Sequence, residues 1–170
     1  MQIKRATHLP QHALDSFIRL QATTHICYEQ DGLLLTKEEV FIDDWTPKQK
    51  CDIICHLNQT IEQNGIVILA TLDETIIGFT CVEPQPFQDY LELSFIHISK
   101  PYRHQGIGQL IFKQTALEAK KLGAKKLYIG SHPSVDSQTF YAALGCTLTT
   151  NINQEIYQRE PLDIQLEYLL

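Results

Sequence analysis

The sequence predicts a single α/β domain, spanning residues 1–170, with a mixed, mostly antiparallel twisted sheet flanked by helices. Three features predict it: two β-rich runs joined by the polar "DET", a strand-like run leading through glycines into a helix, and the further strand "KKLYIGSH". A chain of 170 residues with 44% hydrophobic content fits one domain and can bury a substantial core.

The first half of the chain predicts a short strand followed by two helices. "QIKRA" is typical of a strand, and residues 10–25 have the spacing of an amphipathic helix, with apolar positions at Ala13, Leu14, Phe17 and Ile18. Residues 26–45 give no clear pattern. The next helix has strong signals: Thr46 as its cap, Pro47 at its first position, Gln49 completing a capping box and Gly65 as its stop.

The second half alternates strands and helices. Residues 66–84 predict a β-hairpin, residues 90–99 a third strand, and residues 125–132 a fourth. The helix between the last two begins near Ile107 and ends at Gly123. Its predicted buried stripe is Ile107, Ile111, Ala119 and Leu122, opposite a polar face of Gln109, Lys113 and Lys120. "PLDIQLEYLL" predicts a final edge strand, which would suit a homodimer.

Composition disfavours several classes of function. No run approaches 18 apolar residues and the N-terminal sequence lacks the apolar middle of a secretory signal, so we expect a cytoplasmic protein without membrane contact. The formal charge of −6 disfavours nucleic acid as a partner and suits a cationic small molecule or basic peptide.

The cysteine pattern does not predict a metal site. Five cysteines are present, and Cys51 and Cys55 would share a helix face beside His56. A zinc site usually requires a second pair of ligands, which the sequence lacks. We therefore expect no metal and interpret the cysteines as buried, reduced thiols.

The stretch "KPYRHQGIGQL", residues 100–110, joins a predicted strand to a predicted helix. The N-terminus of a helix presents unpaired N–H groups that attract anions, and Gly106 and Gly108 would let the main chain approach a pyrophosphate closely. No Lys follows these glycines as in a Walker loop, and the third glycine of a dinucleotide fingerprint is missing. The alternative is a turn whose glycines serve packing alone.

Two motifs in this half resemble the GCN5-related N-acetyltransferase (GNAT) superfamily. Arg103-His104-Gln105-Gly106-Ile107-Gly108 matches [QR]-x-x-G-x-[GA], and residues 134–146 are similar to N-x-x-A-x-x-F-Y-x-x-x-G-F. Phe140, Tyr141 and Gly145 are in register with the second motif. Ser134, Ser137 and Cys146 depart from it, which weakens the expected contact from residue 134 to the cofactor.

The resemblance implies a sheet of about seven strands flanked by about four helices, with a splayed strand pair at the acetyl-CoA site. Acetyl-CoA would be the co-substrate. Residues 103–108, including Ile107, would receive the pyrophosphate, and main-chain groups of Ile96, His97 and Ile98 would pair with the pantetheine arm. The N–H of Ile98 or a near neighbour would polarise the thioester carbonyl. Ser134, Ser137 and Tyr141 would complete the cofactor site.

The implied reaction is direct acetyl transfer to a primary amine of a small molecule or peptide. Glu92, 14 residues before Gly106, is either the general base or a solvent-facing carboxylate, with Glu83 in reserve. Tyr141 is either the acid that protonates the CoA thiolate or a packing aromatic. The segment Asp43, Asp44 and Trp45 could meet a cationic acceptor. A CoA-binding regulatory module without catalysis, or an enzyme that acetylates protein lysines or N-termini, remains an alternative.

Overall fold

A seven-stranded sheet forms the centre of the computed structural model, which describes residues 1–86 and 89–170. Its strand order is β1-β4-β5-β6-β7-β9-β8, and every neighbouring pair is antiparallel except the parallel pair β6–β7. The strands are β1 Gln2–Arg5, β4 Ile66–Leu72, β5 Thr75–Val82, β6 Tyr90–Ile98, β7 Lys126–Ser131, β8 Thr147–Leu148 and β9 Ile164–Leu169. A separate hairpin consists of β2 Gln21–Gln30 and β3 Leu33–Asp43. The predicted mixed, mostly antiparallel sheet is confirmed.

Helices cover both faces of the sheet. They are α1 Pro47–Glu62, α2 Ile107–Lys121, α3 Val135–Leu144 and α4 Gln154–Arg159. Alternate residues of β4 point to opposite faces: Ile66 and Ile68 pack in the core under α2, whereas Val67 and Leu69 pack in the core under α1. Burial on both faces explains why "IVILA" is continuously apolar rather than alternating.

The predicted N-terminus of α1 is confirmed. Thr46 Oγ1 accepts a hydrogen bond from the Gln49 N–H at 3.2 Å, and Gln49 Oε1 accepts one from the Thr46 N–H at 2.9 Å. Pro47 occupies the first turn, where no N–H is needed. Such a cap stabilises a helix by about 1 kcal/mol.

The helix predicted for residues 10–25 is wrong. Residues 11–16 form consecutive turns, with the Ala13 N–H bonded to the Pro10 carbonyl and the Phe17 N–H to the Leu14 carbonyl, both at 3.0 Å, and residues 21–25 belong to β2. Of the apolar positions, Leu14 and Phe17 are buried, whereas Ile18 is 44% exposed. Asn58 of α1 binds both main-chain groups of Leu9, at 2.9 Å each. Tertiary contacts thus hold this short segment without a helix.

Of the unassigned residues 26–45, all but the last two belong to the β2–β3 hairpin. Its turn residues Asp31 and Gly32 have positive φ angles of 52° and 76°. An Asp-Gly pair between strands favours this type of two-residue turn, and it was the signal available in the sequence. The predicted hairpin of β4 and β5 is confirmed, and Asp73 and Glu74 in its turn also have positive φ angles.

Three finer expectations need correction. β9 is a strand but not an edge, because β7 and β8 flank it. Leu122 is 50% exposed and lies outside the buried stripe of α2, whereas Ile107, Ile111 and Ala119 are buried. All five cysteines are free thiols, but Cys55 is exposed and Cys51 only half-buried.

No helix in the described part of the chain combines the length and the apolar character that a membrane span requires.

Gly65, between α1 and β4, provides a test of packing. A Cβ at this position would lie 2.3 Å from Thr60 Cγ2 and 2.7 Å from the Val82 carbonyl oxygen. We expect Gly65→Ala to lower the free energy of unfolding by about 1–3 kcal/mol, as overpacking does. Urea denaturation measures this change. The exposed neighbour Gln63 is the control, since Gln63→Ala should cost less than about 0.5 kcal/mol; equal effects would contradict the close packing.

Candidate active site

The parallel strands β6 and β7 separate after a short paired stretch. Their register covers only Tyr90–Glu92 of β6 against residues 126–128 of β7. Beyond it β6 continues beside β5 and β7 beside β9, so the facing edges of the two strands no longer pair with each other. The structure therefore has the predicted splayed strand pair, with free main-chain groups along one side of β6.

The loop after β6 brings the N-terminus of α2 to the opening that forms where β6 and β7 separate. Gly106 is the N-cap residue, with a φ of 77° and no side-chain cap, and the first hydrogen bond of the helix runs from Leu110 N–H to the Gly106 carbonyl at 3.2 Å. The N–H groups of the first turn therefore lack a helical partner. A Cβ at Gly106 would meet no atom within 4 Å, so this end faces open space. It is suited to bind an anion.

Gly108 lies where the loop, β6 and α3 meet. A Cβ at this position would lie 3.0 Å from Phe140 Cε2 and 3.7 Å from Ile98 Cγ1. The glycine thus serves close packing as well as leaving room beside the helix N-terminus. Ile107, by contrast, turns its side chain into the core.

Arg103 binds protein carbonyl groups instead of facing the anion site. Its guanidinium donates to the carbonyls of Ile98 at 2.9 Å, Leu20 at 3.0 Å and Arg19 at 2.5 Å. The side chain therefore ties the end of β6 to the segment before β2. His104 and Gln105 are exposed, His104 with a positive φ of 60°, and Gln105 Nε2 donates to the Pro101 carbonyl at 3.2 Å.

The main-chain groups of β6 divide between its two sides. The Ser99 N–H bonds to the Ile77 carbonyl at 2.9 Å, in register with the β5–β6 pairing. The alternation of an antiparallel ladder then directs the main-chain groups of His97 toward β5 and those of Ile96 and Ile98 toward the opening. Of the three residues predicted to bind pantetheine, the structure offers Ile96 and Ile98, although the Ile98 carbonyl already accepts from Arg103.

The structure does not offer Ser134 to the opening. This residue is the N-cap of α3 and only 4% exposed. Its hydroxyl accepts from the Ser137 N–H at 3.3 Å and from Gln21 Nε2 at 3.0 Å, and it forms a bridge with Ile26 of β2. The β2–β3 hairpin therefore covers the position from which a cofactor contact was expected. Ser137, one turn on, is half-buried.

Tyr141 lies on the inner face of α3. It is 6% exposed, and its ring is 5.1 Å from the Phe140 ring and 6.5 Å from the Phe112 ring, measured between centroids. Burial raises the pKa of the Tyr141 hydroxyl far above its usual value, with smaller effects from Cys146 and Asp163. The hydroxyl therefore keeps its proton at neutral pH, and the raised pKa also makes it a weaker acid than an exposed tyrosine.

A bulge in β6 determines which of its side chains lie on the face of the sheet that α1 covers. Cys81 pairs with Phe95 but Val82 with Leu93, so Ser94 is an extra residue. Leu93 packs under α2, and Phe95 packs under α1. Ser94 is bound to the Glu83 carboxylate, and Glu83 influences the pKa of Glu92, so these three polar residues lie close together.

The two glutamates differ in electrostatic environment. Glu83 accepts a hydrogen bond from His56 Nε2 at 2.8 Å and another from Ser94. Burial alone would raise the pKa of Glu83, but these bonds and the His56 charge lower it below its usual value. Burial raises the pKa of Glu92, only partly offset by Arg159, whose Nη2 lies 2.5 Å from Glu92 Oε1.

His56, Cys81 and Glu83 also have the atoms to bind a metal ion. Their ligand atoms lie within 4.8 Å of one another, the one such group found among the described residues. It differs from the Cys51, Cys55 and His56 cluster considered from sequence. Hydrogen bonds to Cys81 and Glu83 raise the pKa of His56 to about 10, so the group is held together by an ion pair.

An aromatic wall adjoins these carboxylates. The Trp45 ring lies 4.8 Å from His97 and 5.8 Å from Phe17, and the Arg19 guanidinium lies 5.8 Å from the Trp45 centroid. The His97 side chain faces away from α2, and burial lowers its pKa well below the usual value. Neutral His97 and Trp45 thus form one wall on the α1 face.

Further carboxylates lie at the end of β7. Asp43 Oδ2 is 3.1 Å from His132 Nε2, whereas Asp44 is exposed and accepts from the Trp45 N–H at 2.8 Å. Asp163, before β9, was missed by sequence reasoning because no motif marks it. Burial, with the nearby charges of Glu160 and Asp43, raises the pKa of Asp163 to about 7.

Comparison with known proteins agrees with this geometry. Residues 18–146 match the Acetyltransferase (GNAT) family. The chain therefore belongs to the GNAT acetyltransferase family. No curated protein sequence matches it.

Three solved structures illustrate the shared fold. Nourseothricin acetyltransferase has a TM-score of 0.72 and 13% identity, over 99% of this chain and 97% of that chain. A Bacillus anthracis protein assigned as a streptothricin acetyltransferase, in complex with acetyl coenzyme A, has a TM-score of 0.68 and 18% identity over the same shares. An aminoglycoside 6′-N-acetyltransferase complexed with coenzyme A has a TM-score of 0.57 and 14% identity, over 71% and 79% of the two chains.

The His56–Glu83 pair predicts a pH-dependent stability. Because folding raises the pKa of His56 from 6.5 to about 10, the pair stabilises the protein fully below pH 6.5 and loses its effect as pH rises through 10. The His56 side chain is 41% exposed, so we expect no more than about 1 kcal/mol.

The measurement is urea denaturation of the wild type and of His56→Gln at pH 6, 8 and 10. The difference in unfolding free energy should shrink with rising pH. In a Glu83→Gln background the same comparison should lose the part of this pH dependence that comes from Glu83 and keep the part that comes from Cys81; an unchanged dependence there would show that Glu83 is not a partner.

Proposed function

We propose that this protein is an acetyl-CoA-dependent N-acetyltransferase that moves an acetyl group directly to a primary amine of a small molecule. The observation that carries the proposal is the uncapped N-terminus of α2 beside the unpaired edge of β6. Two structural neighbours contain acetyl coenzyme A or coenzyme A, and the neighbours' names denote transfer to streptothricin-class compounds and aminoglycosides, which supports an amine acceptor.

The residues at the opening fit the parts of acetyl-CoA. First-turn N–H groups of α2, with Gly106 and Gly108 leaving space, would bind the pyrophosphate. The main chain of Ile96 would pair with the pantetheine arm as an added strand does. The N–H of Ile98, or of a neighbour that points the same way, would polarise the thioester carbonyl.

The opposite face of β6 would bind the acceptor. Glu83 and Glu92 lie there beside the aromatic wall, and Asp43 and Asp163 lie farther along. Primary amines have a pKa of about 10.4 and arrive protonated. Carboxylates next to aromatic faces are suited to bind such a cation.

Proton transfer would follow from the different pKa values of the two glutamates. Glu83 stays ionised and would hold the ammonium group. Glu92, with its raised pKa, is the better base and would take the proton, which leaves a neutral amine to attack the thioester carbon. As the carbon–sulfur bond breaks, the attacking nitrogen would release its second proton to solvent, Tyr141 would donate its own proton to the departing CoA thiolate, and the tyrosinate would regain a proton from solvent.

The central experiment is titration of the protein with acetyl-CoA in a calorimeter, followed by a panel of amines and basic peptides assayed by thiol release. Binding with turnover of a small amine supports the proposal. Turnover of peptides alone would favour a protein acetyltransferase, and binding without turnover of any acceptor would favour a regulatory module. Absence of binding would reject the site itself.

The five free thiols are compatible with the cytoplasm as the proposed location.

Tyr141→Phe tests the proton donor. The variant should bind acetyl-CoA normally but turn over about 10- to 1,000-fold more slowly, because the thiolate leaves without a proton. Calorimetry and kcat measure the two effects. Tyr157→Phe, at a 43% exposed position, is the matched control and should leave kcat unchanged. Normal kcat in Tyr141→Phe would remove this residue from the mechanism.

Glu92 and Arg159 together predict a pH profile. The rate should fall at low pH as Glu92 gains a proton, with a midpoint above the usual glutamate pKa of 4.5. Arg159→Gln removes the cation that favours ionised Glu92, so it should move this limb to higher pH, whereas Glu92→Gln should abolish it.

The measurement is kcat/KM against pH with a good amine acceptor. Glu155→Gln, an exposed change on the same helix as Arg159, should leave the profile in place. An acid limb that persists in Glu92→Gln would assign the base elsewhere, with Asp163 the next candidate.

A further inference from the structure

The outer edge of β3 is unpaired. The two-stranded sheet ends at this strand, and β2 lies on its other side. The outer edge of β2, by contrast, is fixed to the domain by the Cys27 N–H bond to the Pro133 carbonyl at 2.7 Å and by the bridge between Ile26 and Ser134. Eleven residues, Leu33–Asp43, therefore present an edge with no strand beside it among the described residues.

This edge carries apolar side chains in the open. Leu33 is 64% exposed, Val40 70% and Ile42 68%, and Leu34 and Leu35 are about two-fifths exposed. Proteins usually protect a long edge strand with proline, a short length or a covering element. β3 has no proline and is the longest strand described, so a partner strand is the expected way to cover it.

We propose that β3 pairs in antiparallel fashion with β3 of a second copy of this chain, about a twofold axis through Glu38. Such an isologous interface requires a strand that is complementary to itself. With the axis at Glu38, Lys37 lies opposite Glu39 of the second copy, and the bulge that places Glu39 and Val40 of β3 opposite the single residue Thr24 of β2 lies beside the axis.

The charged side chains match in this register, and the exposed apolar residues Leu33, Leu34, Leu35, Val40 and Ile42 lie on both sides of them along the same edge strand. Lys37 lies opposite Glu39, so each copy contributes one cation and one anion to two cross-strand pairs. The same two side chains already attract each other within the chain, at 2.9 Å.

The neighbouring symmetric registers are worse. A shift of the axis by one residue toward the turn places Lys37 opposite Lys37, and a shift the other way places Glu39 opposite Glu39 and Lys37 opposite Phe41. Like charges directly opposite destabilise a strand pair. The proposed register has one unfavourable contact, between the two Glu38 carboxylates on the axis, and this contact makes a distinctive prediction.

The test is sedimentation velocity across a range of protein concentrations. The wild type should dimerise. Val40→Lys should shift the equilibrium toward monomer and raise the dissociation constant of the dimer at least tenfold. Leu117→Lys, at a 56% exposed apolar site on α2, is the matched control and should leave the dimer intact. Far-UV circular dichroism verifies that each variant folds.

The register is tested by charge changes. Lys37→Glu should weaken the dimer at least tenfold, adding Glu39→Lys to it should restore the dimer, and Glu38→Gln should strengthen it. A wild type that stays monomeric at every concentration would overturn the proposal and leave β3 to another partner. A dimer indifferent to Val40→Lys would overturn it as well, and a dimer that responds to Val40→Lys but not to the charge changes would overturn the register. None of these results depends on acetyl transfer.

Discussion

The site depends on one constraint: β6 and β7 pair over three residues and then part. Parallel strands joined by a helix would normally continue to pair, and the main-chain groups on this side of β6 would then be used within the sheet. Because β6 and β7 separate after these residues while each keeps its other neighbour, the Ile96 main chain and the Ile98 N–H have no strand partner on this side of β6 among the described residues. The loop after β6 places the uncapped end of α2 beside them. An extended chain with an anionic end, such as a pantetheine joined to a pyrophosphate, fits both features at once.

The same strand separates the two substrates. Its bulge at Ser94 lets Leu93 and Ile96 face α2 while Glu92, Phe95 and His97 face α1. The proposed cofactor side is therefore apolar with main-chain donors, and the proposed acceptor side is acidic and aromatic. The two proposed sides meet at the opening between β6 and β7, where these strands no longer pair. Arg103 supports this arrangement from a distance, since it fixes the end of β6 to the segment that leads into the hairpin.

Sequence reasoning succeeded where the signal is local. The capping box of Thr46 and Gln49 and the glycines at the start of α2 are each determined by a few neighbouring residues, and each is present as predicted. It failed where contacts between residues far apart in the sequence determine the local structure. The turns at residues 10–16 are held by Asn58, and the interior position of β9 depends on the two-residue strand β8. Ser134 could not be recognised as covered because the covering hairpin was itself unassigned. Glu83 was only a reserve candidate because its partner His56 comes from another element.

The electrostatics of the acceptor side follow from burial as much as from charge. Glu83, just after β5, and Glu92, in β6, have the same side chain, yet one pKa falls and the other rises. The difference arises because Glu83 receives hydrogen bonds from His56 and Ser94, whereas the guanidinium of Arg159 does not fully offset the desolvation of Glu92. An incoming ammonium group would meet an ionised carboxylate that holds it and a second one that more readily accepts its proton. The different roles proposed for the two glutamates therefore arise from their different hydrogen-bond partners and burial, because the side chains themselves are identical.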